Sequence, residues 1–134
     1  MKVVLDTNIL LVSLPKKSPF RVIFDALLAG KFELIISNDI LGEYAEILSR
    51  KTTPAIAHNV VEMLIVLPNV RKQDIYYKWN LINADKDDNK FVDCAVAGNA
   101  DFVVTEDKHF DELRTVEFPK LTVLSIKDFI LKLL

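Results

Sequence analysis

Val3-Val4-Leu5-Asp6 and Phe102-Val103-Val104-Thr105-Glu106-Asp107 decide the fold of this 134-residue chain. Each is a short, unbroken apolar run that stops on acid. An alternating pattern would mark a strand with one wet face, whereas an unbroken run marks a strand buried on both faces. Residues 32–36, Val70 and residues 121–124 predict further strands of the same kind. Helical spacings separate them. Residues 19–29 carry Phe20, Ile23, Phe24, Leu27 and Leu28 on one face, with Gly30 able to end the helix. Ser37 or Asn38 can cap a helix with Ile40, Leu41, Tyr44, Ile47 and Leu48 inward, and Pro54 suits the first turn of another running to about Leu67. Residues 74–82 are also predicted helical. A helix capped by Asp87 or Asp88 then runs to about Ala100, a turn or short helix covers 108–113, and residues 126–134 form the last helix. Buried strands alternating with helices predict an α/β fold with a central parallel sheet.

Composition bounds the class. Hydrophobic residues make up 51% and charged residues 27%, with 17 Lys+Arg against 19 Asp+Glu for a net charge of -2. A chain of this length buries about two-thirds of its unfolded surface, so residues 1–134 read as one domain. Cys94 is the single cysteine, which excludes an internal disulfide and suits a reducing compartment. No apolar run nears the roughly 18 residues of a membrane span. The opening Met1-Lys2-Val3-Val4-Leu5-Asp6 is too short an apolar run for a signal peptide. The expectation is a complete cytoplasmic protein. Its charge argues against a DNA-coating protein, which is normally strongly basic. The charge is also uneven. Residues 85–112 hold nine acids (Asp85, Asp87, Asp88, Asp93, Asp101, Glu106, Asp107, Asp111, Glu112) and three bases (Lys86, Lys90, Lys108), leaving that segment at -6 and the rest at +4.

Ligands of parallel sheets bind beyond the carboxyl ends of the strands, where strand order reverses. Asp6 and Asp107 follow predicted strands at that edge, although each could simply cap a turn. Glu43 lies at the rim of an apolar helix face; Glu46 has Arg50 four residues on, while Glu43 has no such partner. Asp93 interrupts the small apolar helix Phe91-Val92-Asp93-Cys94-Ala95-Val96-Ala97, where an acid needs a partner. Asn89, one turn earlier, could orient it. Asp88 reads first as a helix cap that could join an outer shell, and Asp101, preceding its strand, belongs at the opposite edge. Asp6, Glu43, Asp93 and Asp107 are thus expected to converge. Four carboxylates at close quarters require cations or raised pKa values. Oxygen ligands favour Mg²⁺ or Mn²⁺, one or two ions, which can activate water for phosphodiester hydrolysis. His58 and His109 show no triad or zinc spacing and read first as surface residues, although His109, following Asp107, could touch a phosphate.

The same stretches carry a family resemblance. Val3-Val4-Leu5-Asp6-Thr7-Asn8, Ser37 through Glu43, Asp88-Asn89-Lys90-Phe91-Val92-Asp93-Cys94-Ala95 and Ala100-Asp101-Phe102-Val103-Val104-Thr105-Glu106-Asp107 resemble, in order, four motifs of PIN domains. Toxins of the VapC type, from toxin–antitoxin pairs, are the most similar subgroup. The resemblance implies a three-layer α/β/α sandwich and a Mg²⁺- or Mn²⁺-dependent endoribonuclease. It implies Asp6, Glu43, Asp93 and Asp107 as the acidic quartet, Asn8 supporting the first acid, and Thr105 as the hydroxyl residue before the last. Some relatives carry a fifth acid where Lys108 and His109 stand here. Homodimers and neutralisation by a small antitoxin protein are further implications, and the mean hydropathy of +0.23 suits a buried partner surface or a well-filled core equally.

On this reading, water attacks the RNA phosphodiester, and basic residues hold the backbone. Lys16, Lys17 and Arg21 are the first candidates because they follow the Asp6 strand; Arg50-Lys51 and Arg71-Lys72 are others. Two alternatives stand beside it. One is a nonenzymatic metal- and RNA-binding module. The other is a phosphatase with Asp6 as nucleophile, which usually has an acid two residues later, where Asn8 stands.

Overall fold

A computed structural model describes residues 1–134. Five strands, β1 (Lys2–Leu5), β2 (Glu33–Ile36), β3 (Val70–Lys72), β4 (Phe102–Val104) and β5 (Val123–Leu124), form one parallel sheet in the order β3-β2-β1-β4-β5. Helices α1 (Thr7–Ser13), α2 (Arg21–Leu28), α3 (Asn38–Lys51), α4 (Pro54–Val66), α5 (Asn89–Ala97) and α6 (Ile126–Leu133) cover it in a three-layer α/β/α arrangement. Short 3₁₀ segments span Lys86–Asp88 and Lys108–Thr115. Val3, Val4, Leu5, Leu34, Ile35, Val103 and Val104 are fully buried. Because successive strand residues point to opposite faces, both faces of the sheet are covered. No helix is long and apolar enough to cross a membrane.

The order of the strands creates the site. The chain moves outward from β1 to β2 and β3, then crosses back to place β4 on the other side of β1. Leu5 is in register with Val104, so Asp6 and Thr105, the next residues on each strand, emerge side by side at the switch point.

Local chemistry explains most elements. Ser37 Oγ accepts the Ile40 N–H at 3.2 Å and Thr53 Oγ1 accepts the Ile56 N–H at 3.1 Å, capping α3 and α4, with Pro54 at the start of α4 as expected. α5 ends at Ala97, three residues short of the predicted Ala100. Asn99 ends it at φ 52°, with the Ala100 N–H bonded to the Ala95 carbonyl at 2.9 Å and the Asn99 N–H to the Val96 carbonyl at 3.2 Å. Gly98 lets this end touch β2: a Cβ there would lie 2.7 Å from Ile35 Cγ2 and 3.1 Å from the Cys94 carbonyl. Arg71 Nη2 then donates to the freed Gly98 carbonyl at 2.8 Å.

Two expectations fail. α1 forms where the sequence reading held no element; its run Ile9-Leu10-Leu11-Val12 lacks the polar spacing of an amphipathic helix, yet Ile9 and Leu10 are buried and Ser13 Oγ donates back to the Leu10 carbonyl at 2.7 Å. Residues 74–82, predicted helical, are an irregular extended strap. Its amides bond to side chains from elsewhere: Trp79 N–H to Asp93 Oδ1 at 3.0 Å, Ile82 N–H to Asn89 Oδ1 at 2.8 Å and, just beyond it, Asn83 N–H to Glu112 Oε2 at 3.0 Å. Asn89 Nδ2 returns a bond to the Ile82 carbonyl at 2.9 Å. Trp79 also packs edge-on between Tyr77 and Phe118, with ring centroids 4.7 and 6.0 Å away.

Two stability predictions result. Gly98→Ala should lower unfolding stability by about 1–3 kcal/mol, because the fully buried Ile35 has no free space to yield into. Asn89→Ala should cost a similar amount, about 1–3 kcal/mol, by orphaning a buried donor and acceptor at Ile82. Urea unfolding of each variant against wild type measures both.

Candidate active site

Asp6 leaves β1 with 7% of its surface exposed. Its Oδ2 accepts the Thr105 hydroxyl at 2.7 Å, and Thr105 Oγ1 in turn accepts the Asp107 N–H at 3.0 Å. One hydroxyl thus ties together the acids that follow β1 and β4. Asp107 Oδ1 accepts the His109 N–H at 2.9 Å, and His109 Nδ1 lies 3.2 Å from the same oxygen and 3.1 Å from Asp88 Oδ2. Single ligand atoms of Asp85, Asp88 and His109 fall within 4.8 Å of one another. Asp85 also caps the 3₁₀ turn, accepting the Asp87 N–H at 3.0 Å.

Glu43 reaches the group from α3. Tyr44, fully buried, donates its hydroxyl to the Leu5 carbonyl at 2.5 Å and thereby pins α3 to the end of β1. The neighbouring Glu43 accepts the Thr7 hydroxyl on Oε2, while Lys90 Nζ lies 2.8 Å from Oε1. Asp39, Gly42, Glu43, Arg50, Asp87 and Lys90 line an open trough alongside.

Burial dominates the electrostatics of the group. Burial pushes the Asp6 carboxyl above its ordinary value, against the bonds from Thr105 and the Thr7 amide; the charges of Asp107 and Glu43 push it further. Asp88 is pushed up to about 6, chiefly by burial, with Asp107, Asp85 and Asp6 adding to the effect and its His109 bond opposing it. That same bond to Asp88 raises the His109 pKa and favours an imidazolium.

The structure brings Asp6, Glu43, Thr105 and Asp107 together. It does not bring in Asp93. That carboxylate accepts the Trp79 amide, and Lys78 is the only charge that acts on it. Asn89 does not orient Asp93; both hold the strap. Asn8 is exposed and bonds neither Asp6 nor Glu43. Lys16 and Lys17 lie exposed in the turn after α1. Arg21 is held by internal contacts: it donates to the Leu14 carbonyl, pairs with Asp25 at 2.9 Å and lies 4.8 Å over the Phe24 ring.

Asp88 stands where Asp93 was expected, and helix geometry gives the reason. α5 precedes β4 and runs antiparallel to it, so the amino terminus of α5 lies at the carboxyl edge of the sheet. Asp93 is five residues further in, about 7.5 Å along the axis and about 140° around it. Asp88 makes no side-chain cap bond to α5, so its carboxylate is free to face Asp6 and His109. The sequence signal was available: in a parallel sheet, the acid that opens such a helix meets the acids that close the strands. His109, read as a surface residue, joins the group through Asp88 and Asp107, and Lys90 joins through Glu43. A set of oxygen donors with one imidazole, in which burial holds Asp6 and Asp88 above their ordinary values, fits a hard divalent ion.

Comparison with known proteins agrees with this architecture. The structure of VapBC2 from Rickettsia felis bound to a DNA fragment from its promoter matches with a TM-score of 0.65 at 19% identity, over 93% of this chain and 98% of that one. DNA-bound VapBC from Salmonella typhimurium matches with a TM-score of 0.62 at 18% identity, over 94% and 98%. The PIN domain of human SMG5 matches with a TM-score of 0.56 at 13% identity, over 98% of each chain. No curated protein matches the chain by sequence. The PIN-domain family model covers residues 2–109, and with it the strand-end acids, Asp88 and His109; the chain therefore belongs to the PIN-domain family, whose members are generally nucleases.

Proposed function

We propose that the chain is a Mg²⁺- or Mn²⁺-dependent endoribonuclease and the toxin of a toxin–antitoxin pair. The observation that carries this reading is a run of contacts at the switch point of the sheet: Thr105 bonds both Asp6 and the Asp107 amide, and His109 Nδ1 lies 3.2 Å from Asp107 and 3.1 Å from Asp88. Asp6, Asp88 and Asp107 would hold the ion, which when bound stabilises charge on a phosphodiester and activates water. Asp88 takes the place first given to Asp93. Thr105 fixes the orientation of Asp6 and, through the Asp107 amide, of the following loop. His109 holds Asp88 and Asp107 apart from their mutual repulsion and offers an N–H donor at the rim. Glu43, bonded to Thr7 and Lys90, borders the trough into which the RNA strand would lie. Lys16 and Lys17 remain candidates for backbone contacts because they are exposed and unpaired; Arg21 would first have to leave its internal bonds. Likeness to VapBC complexes supports a small antitoxin protein as partner, and a homodimer belongs to the same proposal.

Labelled single-stranded and hairpin RNAs, incubated with the purified chain in Mn²⁺, Mg²⁺ or EDTA, test the activity. Asp6→Asn and Asp88→Asn should each reduce cleavage by roughly a hundredfold or more, the upper end of what outer-shell changes cost metal sites. Asp93→Asn keeps an acceptor for the Trp79 amide and should cleave as wild type does. If instead Asp93→Asn is inactive and Asp88→Asn is not, the ligand assignment is wrong. Mn²⁺ binding with no cleavage of any RNA would favour the nonenzymatic module.

The metal-free protein should also respond to pH in a defined direction. Folded Asp88 titrates at about 6 against an ordinary 3.8, so across that window the folded chain keeps a proton that the unfolded chain releases. Stability in EDTA should therefore fall as pH rises from about 4 to about 6. Asp88→Asn should flatten that slope, and Mn²⁺ at neutral pH should raise the melting temperature of wild type alone.

A further inference from the structure

Lys90 enters the acidic group from the first turn of α5. Its Nζ lies 2.8 Å from Glu43 Oε1, and each side chain is only 22% exposed, so this is not a surface pair screened by water. The second oxygen of Glu43 accepts the Thr7 hydroxyl. Both Glu43 oxygens are therefore engaged, one by a full positive charge.

The other three acids are treated differently. Asp6 is bonded by Thr105, Asp107 by the His109 amide with the His109 imidazole 3.2 Å away, and Asp88 by the same imidazole at 3.1 Å; none has a lysine or arginine partner. The carboxylates thus fall into two sets. Glu43 has its cation from a lysine, which keeps its charge. Asp88 and Asp107 share only the imidazole of His109, which can give up its proton, and Asp6 is bonded by a neutral hydroxyl. An ammonium and a divalent ion on the same carboxylate would repel each other, so Lys90 in its observed position disfavours an ion on Glu43.

We propose that Lys90 takes the place of a second divalent cation, so that the chain binds one Mg²⁺ or Mn²⁺ on Asp6, Asp88 and Asp107 while Glu43 is neutralised by the lysine. This rests on the metal-dependent reading above and specifies its stoichiometry. Lys90 is a positioning residue: it acts through Glu43 and sets the number and place of the ions.

Calorimetric titration of the full chain with Mn²⁺, checked by electron paramagnetic resonance of the free ion, counts the sites without reference to cleavage. Wild type should take up one Mn²⁺ and Lys90→Arg likewise one, whereas Lys90→Met and Lys90→Gln should take up two. A purely structural lysine would leave the count unchanged. Glu43→Gln, which removes no ligand of the retained ion, should still bind one Mn²⁺ with affinity altered by less than about tenfold, the lower bound for loss of an outer-shell partner. It remains decisive if the lysine variants do not fold. Two ions on wild type, a count of one on a folded Lys90→Met, or loss of binding in Glu43→Gln each overturn the role of Lys90 and leave the nuclease reading intact. Absence of Mn²⁺ binding by wild type overturns both.

Discussion

The pairing of β1 with β4 is the contact on which the rest depends. Val3, Val4 and Leu5 lie in register with Phe102, Val103 and Val104, about a hundred residues later in the chain. This closure is also what makes the site. Without it Asp6 ends one strand and Thr105 another; with it the Thr105 hydroxyl donates to one acid and accepts from the amide of the next. Sheet topology and acid convergence are therefore one constraint seen at two scales.

The helices around this closure are held by polar bonds where burial alone would leave them free to slide. Tyr44 fixes α3 on the Leu5 carbonyl, and Gly98 lets the end of α5 rest on Ile35. Tyr44 acts beside Asp6 and Glu43 and Gly98 from the far end of α5, and both determine where the acids sit. Glu43 follows from the Tyr44 bond, and Asp88 follows from the seating of α5. Small changes at these buried contacts should register first in the spacing of the carboxylates, because the packed interior has no slack to absorb them.

Most of the fold was legible because the strands are unbroken apolar runs and the caps are ordinary ones. Ser37, Thr53 and Pro54 act as their chemistry directs. The failures share one cause. The strap at residues 74–82 has no pattern of its own to reveal it, since its Trp79 and Ile82 amides are satisfied by Asp93 and Asn89, and Glu112 holds the Asn83 amide just beyond it. Asp93 misled for the same reason. An acid in an apolar helix does need a partner, and that rule holds, but the partner is a backbone amide of the strap and not a cation. Asp6, Glu43 and Asp107 were legible from strand ends and a missing partner, and Thr105 from the family resemblance alone. Asp88 and His109 were not, because each has an ordinary local explanation that hides its place in the group.

The uneven charge of the chain now divides into parts with different physics. Asp93 and Glu112, two acids of the -6 segment, hold the strap, and Asp85 starts a turn; these act as hydrogen-bond acceptors for the backbone. Asp88 and Asp107 face Asp6 across the switch point, and there the burial of like charges raises carboxyl pKa values that backbone bonds alone do not bring down. Lys90 and the imidazole of His109 supply positive charge at the two sides of that group. What is left uncompensated lies between them, on the residues that follow β1 and β4. A polyanionic strand could not approach four carboxylates unaided, but it could approach them once a cation fills that gap. A net charge near neutrality is therefore compatible with a nucleic-acid substrate, because the relevant charge is the local one at the switch point and depends on what is bound there.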